Sequence, residues 1–199
     1  WTKGKSSAAT LLHLMLVHSG IDAGLAGNVG LAPLEIEARH KTVVFELSSY
    51  QTADMAFTPD IAGITDLYPE HVDWHRDVEH YYADKLNLID RDGDFPVGLG
   101  EGARHNPLVL AAVRNPARIL PDPAPFIADR ITSVVSKSRL KGAHNLDNAR
   151  LAAKLALAAG ATLDGIVKGI AEFRPLPHLL EEHEIGGKLF IDDSISTTP

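Results

Sequence analysis

The sequence predicts an α/β fold of the phosphate-loop type, a mostly parallel sheet with flanking helices, on three observations. Short apolar runs at Thr42 to Leu47 (TVVFEL) and Ile61 to Thr65 (IAGIT) have the near-continuous hydrophobicity of strands buried on both faces of a parallel sheet. Helical stretches separate and follow them. Near the start, Gly4-Lys5-Ser6-Ser7 runs straight into the first helical pattern.

From Lys5 to Ser19 the apolar residues Ala8, Leu11, Leu12, Met15 and Leu16 recur at helical spacing, and Ser19-Gly20 supplies the stop. Helices are predicted at His75 to Ile89, Arg104 to Val113, Asn145 to Gly160 and Leu163 to Phe173. The segment Arg114 to Ser138, with Pro116, Pro121, Pro123 and Pro125 among short apolar runs, reads as short antiparallel strands and loops. Arg174-Pro175-Leu176-Pro177 reads as an interdomain linker, because its prolines stop the preceding helix and stiffen the chain. Residues 1–173 are therefore expected to form one domain, and residues 174–199 a linker plus the first strand, Lys188 to Asp192, of another. Both ends look cut, so a fragment is expected.

Composition narrows the function classes. The 199 residues are 45% hydrophobic and 23% charged, as in soluble globular proteins. Without cysteine there is neither a disulfide framework nor a thiolate nucleophile or metal ligand. A formal charge of -7 argues against a general nucleic-acid binder, whose backbone affinity needs a basic surface. Neither a membrane span nor a signal peptide is legible, so a cytoplasmic protein is expected.

Three groups of residues carry chemistry. Thr2-Lys3-Gly4-Lys5-Ser6-Ser7 before a helix has the layout in which backbone N–H groups cradle phosphate, the lysine meets outer phosphate oxygens and the serine ligates Mg²⁺; the tetrapeptide Gly4-Lys5-Ser6-Ser7 by itself also suits a plain helix cap. Glu46 ends a strand and is followed by Ser48, Ser49, Tyr50 and Gln51, at the sheet edge where ligands bind in open α/β folds. It suits a Mg²⁺ ligand, a hard oxygen donor, or simply a solvated strand end. Asp66 to His75 (DLYPEHVDWH) gathers two histidines and several acids after the second strand, with Lys85 on the helix beyond, one turn from Tyr81. Asn145 and Asn148 open the alanine-rich helix, where asparagine caps free N–H groups.

In order, the segments Thr2-Lys3-Gly4-Lys5-Ser6, Glu46 to Gln51 (ELSSYQ), Glu70-His71-Val72-Asp73, Tyr82 to Lys85 (YADK), His144 to Asn148 (HNLDN), Leu176-Pro177-His178 and Asp193-Ser194 resemble the MurD-type muramyl ligases across nearly the whole chain. The resemblance implies a Mur ligase central domain followed by the start of a Rossmann-like C-terminal domain. It also implies ATP and two Mg²⁺ ions: Lys5 on ATP phosphates, Ser6 and Glu46 on one metal, and His71 with a carbamylated Lys85 on the second. By the same likeness Asn148, His178 and Asp193 join Thr2 to Ser7 in the ATP site. Asn28, Ser48, Ser49 and Gln51 line the nucleotide-sugar substrate, and Thr197 meets the incoming amino acid.

The implied reaction joins glutamate to UDP-N-acetylmuramoyl-L-alanine through an acyl phosphate, in the synthesis of peptidoglycan precursors for cell-wall growth and division, by a monomer. Four positions depart from the family pattern: Trp1 replaces a glycine, Asp66 an asparagine, Leu179 an arginine and Ile195 a lysine. Pro69 to His75, Phe173 to Pro177 and Asp193 to Pro199 look like the relatives that add L-glutamate, which accounts for Ile195 but leaves Leu179 unexplained. Three alternatives stand beside this: a D-glutamate ligase, a relative of folylpolyglutamate synthase, and a nucleotide-binding module without catalysis.

Overall fold

The structure, a computed structural model, describes residues 4–32, 36, 39–70, 72–174 and 181–192. Helix α1 (Lys5–His18) starts at Gly4, whose φ of 102° is one that L side chains rarely adopt. Its inner face carries Leu11 and Met15, both fully buried. Each such burial contributes about 1.5–3 kcal/mol. That face packs on β1 (Ala23–Gly27) and β2 (Thr42–Glu46), which pair in parallel from Ala23 opposite Thr42 to Gly27 opposite Glu46. A second parallel pair, β3 (Ala62–Ile64) with β4 (Val97–Leu99), is joined by α3 (Val72–His75) and α4 (Val78–Leu86). Helix α2 (Ser49–Ala53) follows β2 directly.

Beyond β4 run α5 (Glu101–Arg104), α6 (Pro107–Val113), a 3₁₀ turn (Pro116–Arg118), α7 (Pro125–Lys137), α8 (Ala143–Ala158) and α9 (Leu163–Glu172). One core gathers around Leu11, Met15, Ile131, Ile166 and Ile170, the other around Ile89, Val97, Val109 and Val113. Helix α8 touches both, since Leu155 sits on a floor made by the paired glycines Gly63 and Gly98, where an added Cβ would lie 2.7 Å from its methyls. Helices α1 and α9 also meet across glycine: a Cβ on Gly169 would lie 2.8 Å from the Met15 nitrogen. Arg118 staples the second core, donating to the carbonyls of Ile89 (3.2 Å), Arg91 (3.3 Å), Phe95 (3.1 Å) and Val113 (2.9 Å).

Most predicted elements are present. The clear correction is Pro125–Lys137, a helix where strands and loops were expected. Pro125 stands at the first helical position, where its fixed φ starts a helix and its missing N–H costs nothing. Ile127, Ile131, Val134 and Val135 then fall on one helical face, and Ile131 and Val135 are buried. Two predicted helices are each broken once. Arg76, at φ 75°, and the Asp77 cap separate α3 from α4, while the Asn106 cap before Pro107 separates α5 from α6. Lys188–Asp192 is the expected strand β6, and it pairs antiparallel with an unpredicted β5 (Glu181–Ile185). The turn between them is Gly186-Gly187, both at positive φ as a two-residue hairpin turn requires.

Candidate functional site

The phosphate-loop residues and the end of β2 come together. Ser6, in the first turn of α1, donates its hydroxyl proton to Glu46 Oε1 at 3.0 Å. Glu46 is 5% exposed, and its Oε2 is buried with no hydrogen-bond partner. A buried carboxylate oxygen left unmatched is costly unless a cation or donor meets it. Burial raises the Glu46 pKa, while the Ser6 hydroxyl and the Lys5 ammonium pull the other way. Lys5 is held below the usual lysine range by burial, against the attraction of Glu46.

Lys85 belongs to the same neighbourhood. Burial first, then the Lys5 charge, lowers its pKa to about 7, with Asp66 opposing the shift. Its ammonium nitrogen lies 4.7 Å from the centre of the Tyr81 ring. Asp66 caps its own following residue, accepting from the Leu67 N–H at 2.7 Å, and its carboxylate leaves no room for a side chain at Gly102.

Asn148 joins the loop from α8. It is buried, and a Cβ on Gly4 would lie 2.1 Å from Asn148 Oδ1, so the loop glycine and this asparagine are in direct contact. The Asn148 amide reaches Asn145 Oδ1 at 3.4 Å. Asn28 is exposed at the end of β1, and its backbone N–H donates to the Glu46 carbonyl at 3.2 Å. Ser48 and Gln51 form a reciprocal capping box at the start of α2: the Ser48 N–H donates to Gln51 Oε1 at 2.8 Å and the Gln51 N–H to Ser48 Oγ at 3.4 Å. Ser7 lies half-buried in the first turn of α1. Thr2, Lys3, His71, His178, Asp193 and Thr197 lie outside the described residues, as do Trp1, Leu179 and Ile195.

Sequence reasoning missed two features. His75 is buried, with Nδ1 2.6 Å from Asp84 Oδ2 and Nε2 2.9 Å from Ser49 Oγ. The density of the Asp66-to-His75 segment was the available signal, but it did not single out this histidine. A charged cleft at the carboxyl end of β4 is the other. There Asp122 receives Lys154 at 2.8 Å and Arg104 at 2.6 Å, and the bonds from these two cations hold it down to about 2. Asp147, the neighbour of Asn148, lines that cleft.

Do these residues fit Mg²⁺? Among the described residues no three histidine, cysteine, aspartate or glutamate side chains gather into a metal cluster. The expected donor set is different in kind: a hydroxyl, one carboxylate and a modified lysine, with His71 outside the described residues. The unmatched Glu46 Oε2 beside Ser6 is a hard oxygen donor of the type this ion prefers, and on that observation the first metal position fits.

Fold and site together define an α/β domain of the phosphate-loop type. Residues 2–94 match the family model described as the Mur ligase middle domain. It is 35% identical to the UDP-N-acetylmuramoyl-L-alanine--L-glutamate ligase of Xanthomonas axonopodis pv. citri, covering 100% of this chain and 45% of that protein. It is 34% identical to the UDP-N-acetylmuramoylalanine--D-glutamate ligase of Nitratidesulfovibrio vulgaris, covering 99% and 45%. The chain thus spans about half the length of the curated relatives it matches. Among solved structures, a folylpolyglutamate synthase from Thermotoga maritima shares the fold at a TM-score of 0.62 and 15% identity, over 96% of this chain and 60% of that one. No described helix is long and apolar enough to cross a membrane.

Proposed function

We propose that this chain is the ATP-binding part of a ligase that joins glutamate, L-glutamate in preference to D-glutamate, to UDP-N-acetylmuramoyl-L-alanine. Its setting is peptidoglycan precursor synthesis, as a cytoplasmic monomer. The observation that carries the reading is the Ser6–Glu46 pair with its unmatched carboxylate oxygen, beside Lys5 and Lys85. Relatives named as both the L- and the D-glutamate ligases support the substrate class. Preference for L-glutamate rests on Pro69 to His75, Phe173 to Pro177 and Asp193 to Pro199. On this reading residues 1–173 are the central domain, and residues 174–199 are a linker and the first part of a C-terminal domain.

The substrate carboxylate attacks the γ-phosphorus of ATP, ADP leaves, and the glutamate amine then displaces phosphate from the acyl phosphate. Mg²⁺, when bound, offsets the negative charge that gathers on the transferring phosphoryl group. Ser6 and Glu46 would hold one ion, and His71 with a carbamylated Lys85 the other. Lys5 and the N–H groups of the first turn of α1 bind phosphate oxygens. Asn148 braces the loop at Gly4, next to the nucleotide. A lysine brought to about 7 is partly neutral near pH 7, as reaction with CO₂ requires, and the product is an oxygen donor. His178, Asp193 and Thr197 would complete the nucleotide and amino-acid contacts, and Asn28, Ser48 and Gln51 the nucleotide-sugar face, with Ser49 buried behind them against His75.

The test is to give the full-length protein ATP, Mg²⁺, UDP-N-acetylmuramoyl-L-alanine and each glutamate enantiomer, following phosphate release and product mass. The expected result is a dipeptide product with L-glutamate at a rate well above that with D-glutamate. Turnover with D-glutamate alone would overturn the stereochemical preference, and nucleotide binding without product would overturn the ligase reading.

A further inference from the structure

Ser49, His75 and Asp84 form a buried chain of hydrogen bonds that nothing in the phosphate chemistry above uses. The His75 side chain is fully buried, while Asp84 keeps about a third of its side-chain surface. Asp84 as a carboxylate only accepts, so Nδ1 carries the proton of the 2.6 Å bond. In the neutral ring Nε2 is then an acceptor, and the Ser49 hydroxyl donates to it at 2.9 Å. The ring is also walled in by aromatics: Tyr50 stacked at 5.4 Å, with Trp74 at 4.4 Å and Tyr81 at 5.1 Å, both edge-on.

The placement of the partners gives the chain its meaning. Ser49 is the first residue of α2, three positions after Glu46. Asp84 precedes Lys85 on α4, and Tyr81 carries the Lys85 ammonium over its ring. His75, at the end of α3, therefore ties the helix that follows Glu46 to the helix that bears Lys85. Ser49 is 4% exposed, so no substrate reaches its hydroxyl and it does not serve as a nucleophile despite the order serine, histidine, aspartate.

We propose that His75 is a positioning residue that fixes Lys85 relative to Glu46, through Asp84 on one side and Ser49 on the other. The proposal rests on the ligase reading for its functional consequence, but the clamp itself is a property of the fold. Misplacement of a reacting group by about 1 Å costs on the order of a hundredfold in rate. Loss of one bond in the clamp is expected to cost about half of that effect in free energy, about tenfold in kcat.

The discriminating pair is Asp84→Ala against Asp84→Asn in the full-length protein. Asn keeps an oxygen that accepts from Nδ1; alanine does not, and because Asp84 is partly exposed its loss opens no core cavity. Expected for Asp84→Ala are a kcat lowered about tenfold or more, a KM for ATP within about twofold, and faster amide hydrogen exchange confined to residues 49–53 and 78–86. Asp84→Asn should recover most of both. His75→Ala should reproduce the alanine phenotype. An unchanged kcat in Asp84→Ala, or equal losses in the alanine and asparagine variants, overturns the positioning role. Should the wild-type protein itself lack turnover, the ligase reading fails and the exchange decides the clamp alone: localised loosening upholds it, and unchanged exchange on both helices overturns it.

Discussion

The Ser6 hydroxyl and the Glu46 carboxylate are 3.0 Å apart, joining the first turn of α1 to the end of β2, and the carboxylate keeps its second oxygen buried and unmatched. That unmatched oxygen carries a stability cost. Folding raises the Glu46 pKa, so the native chain binds more protons than the unfolded one from about pH 4.5 upward to the raised value. The group's contribution to stability therefore falls as pH rises through that window and stays unfavourable above it. Metal-free Glu46→Gln should be more stable than wild type at pH 7, with the gain shrinking as pH falls toward 4.5. Its Mg²⁺-dependent ATP turnover should drop by about 10²–10³, the usual cost of one preorganised charge contact. Chemical denaturation in chelator at several pH values, with turnover of the full-length protein, checks both halves.

Lys85 gives the opposite sign. Folding lowers its pKa from 10.5 to about 7, so between those values the unfolded chain binds more protons and stability rises with pH. Below about pH 7 the buried ammonium is a standing cost. Lys85→Met should stabilise the metal-free protein most at or below pH 7 and progressively less toward pH 10. The same shift leaves roughly a thousandfold more neutral amine at pH 7 than an ordinary lysine has. Exposure to ¹³C-bicarbonate should therefore give a carbamate signal near neutral pH that Lys85→Met lacks. Asp66→Asn, which removes the charge opposing the shift, should lower the pH at which that signal grows in.

Gly4 and Asn148 make the phosphate loop sensitive to a single methyl. At φ 102°, and with Asn148 Oδ1 2.1 Å from an added Cβ, Gly4→Ala meets both backbone strain and a clash. The expected cost is about 1–3 kcal/mol in stability, with weaker binding of nucleotide. In an Asn148→Ala background the clash is gone and only the strain remains, so the penalty for Gly4→Ala should shrink. A double-mutant cycle read by denaturation and by nucleotide titration measures the coupling.

Much of this site is written in local sequence, and the rest is not for identifiable reasons. Gly4, Lys5, Ser6, Glu46 and Lys85 were readable because each sits at an element boundary or in a spaced motif, and they do share one electrostatic neighbourhood. His75 was hidden because what distinguishes it is two partners, Ser49 and Asp84, brought together only by the packing of α2, α3 and α4. Pro125–Lys137 reads locally as strand because it carries the β-branched residues Ile131, Thr132, Val134 and Val135, while their spacing suits a helix packed on a core. The β5–β6 hairpin was half seen: Lys188–Asp192 is apolar enough to notice, whereas Glu181-Glu182-His183-Glu184 is polar and announces itself only by the Gly186-Gly187 turn.

Arg118 offers a test of the scaffold apart from the chemistry. It is 5% exposed, its guanidinium lies 3.9 Å from the centre of the Phe95 ring, and it serves four carbonyls from three stretches of chain around the second core. Replacing it by methionine keeps much of the volume but strands those carbonyls, each of which costs about 1–3 kcal/mol when buried and unmet. Arg118→Met should therefore destabilise the protein by about 3 kcal/mol or more, since partial relaxation and water entry offset some of the sum. Lysine should do little better, because one ammonium offers three donors without the planar fork that spans these carbonyls. The Ser6–Glu46 region lies in the other half of the fold, so a loss of stability without a change in nucleotide affinity is the expected pattern. Equal loss of both would mean that the two cores, joined through Leu155 on Gly63 and Gly98, respond as one.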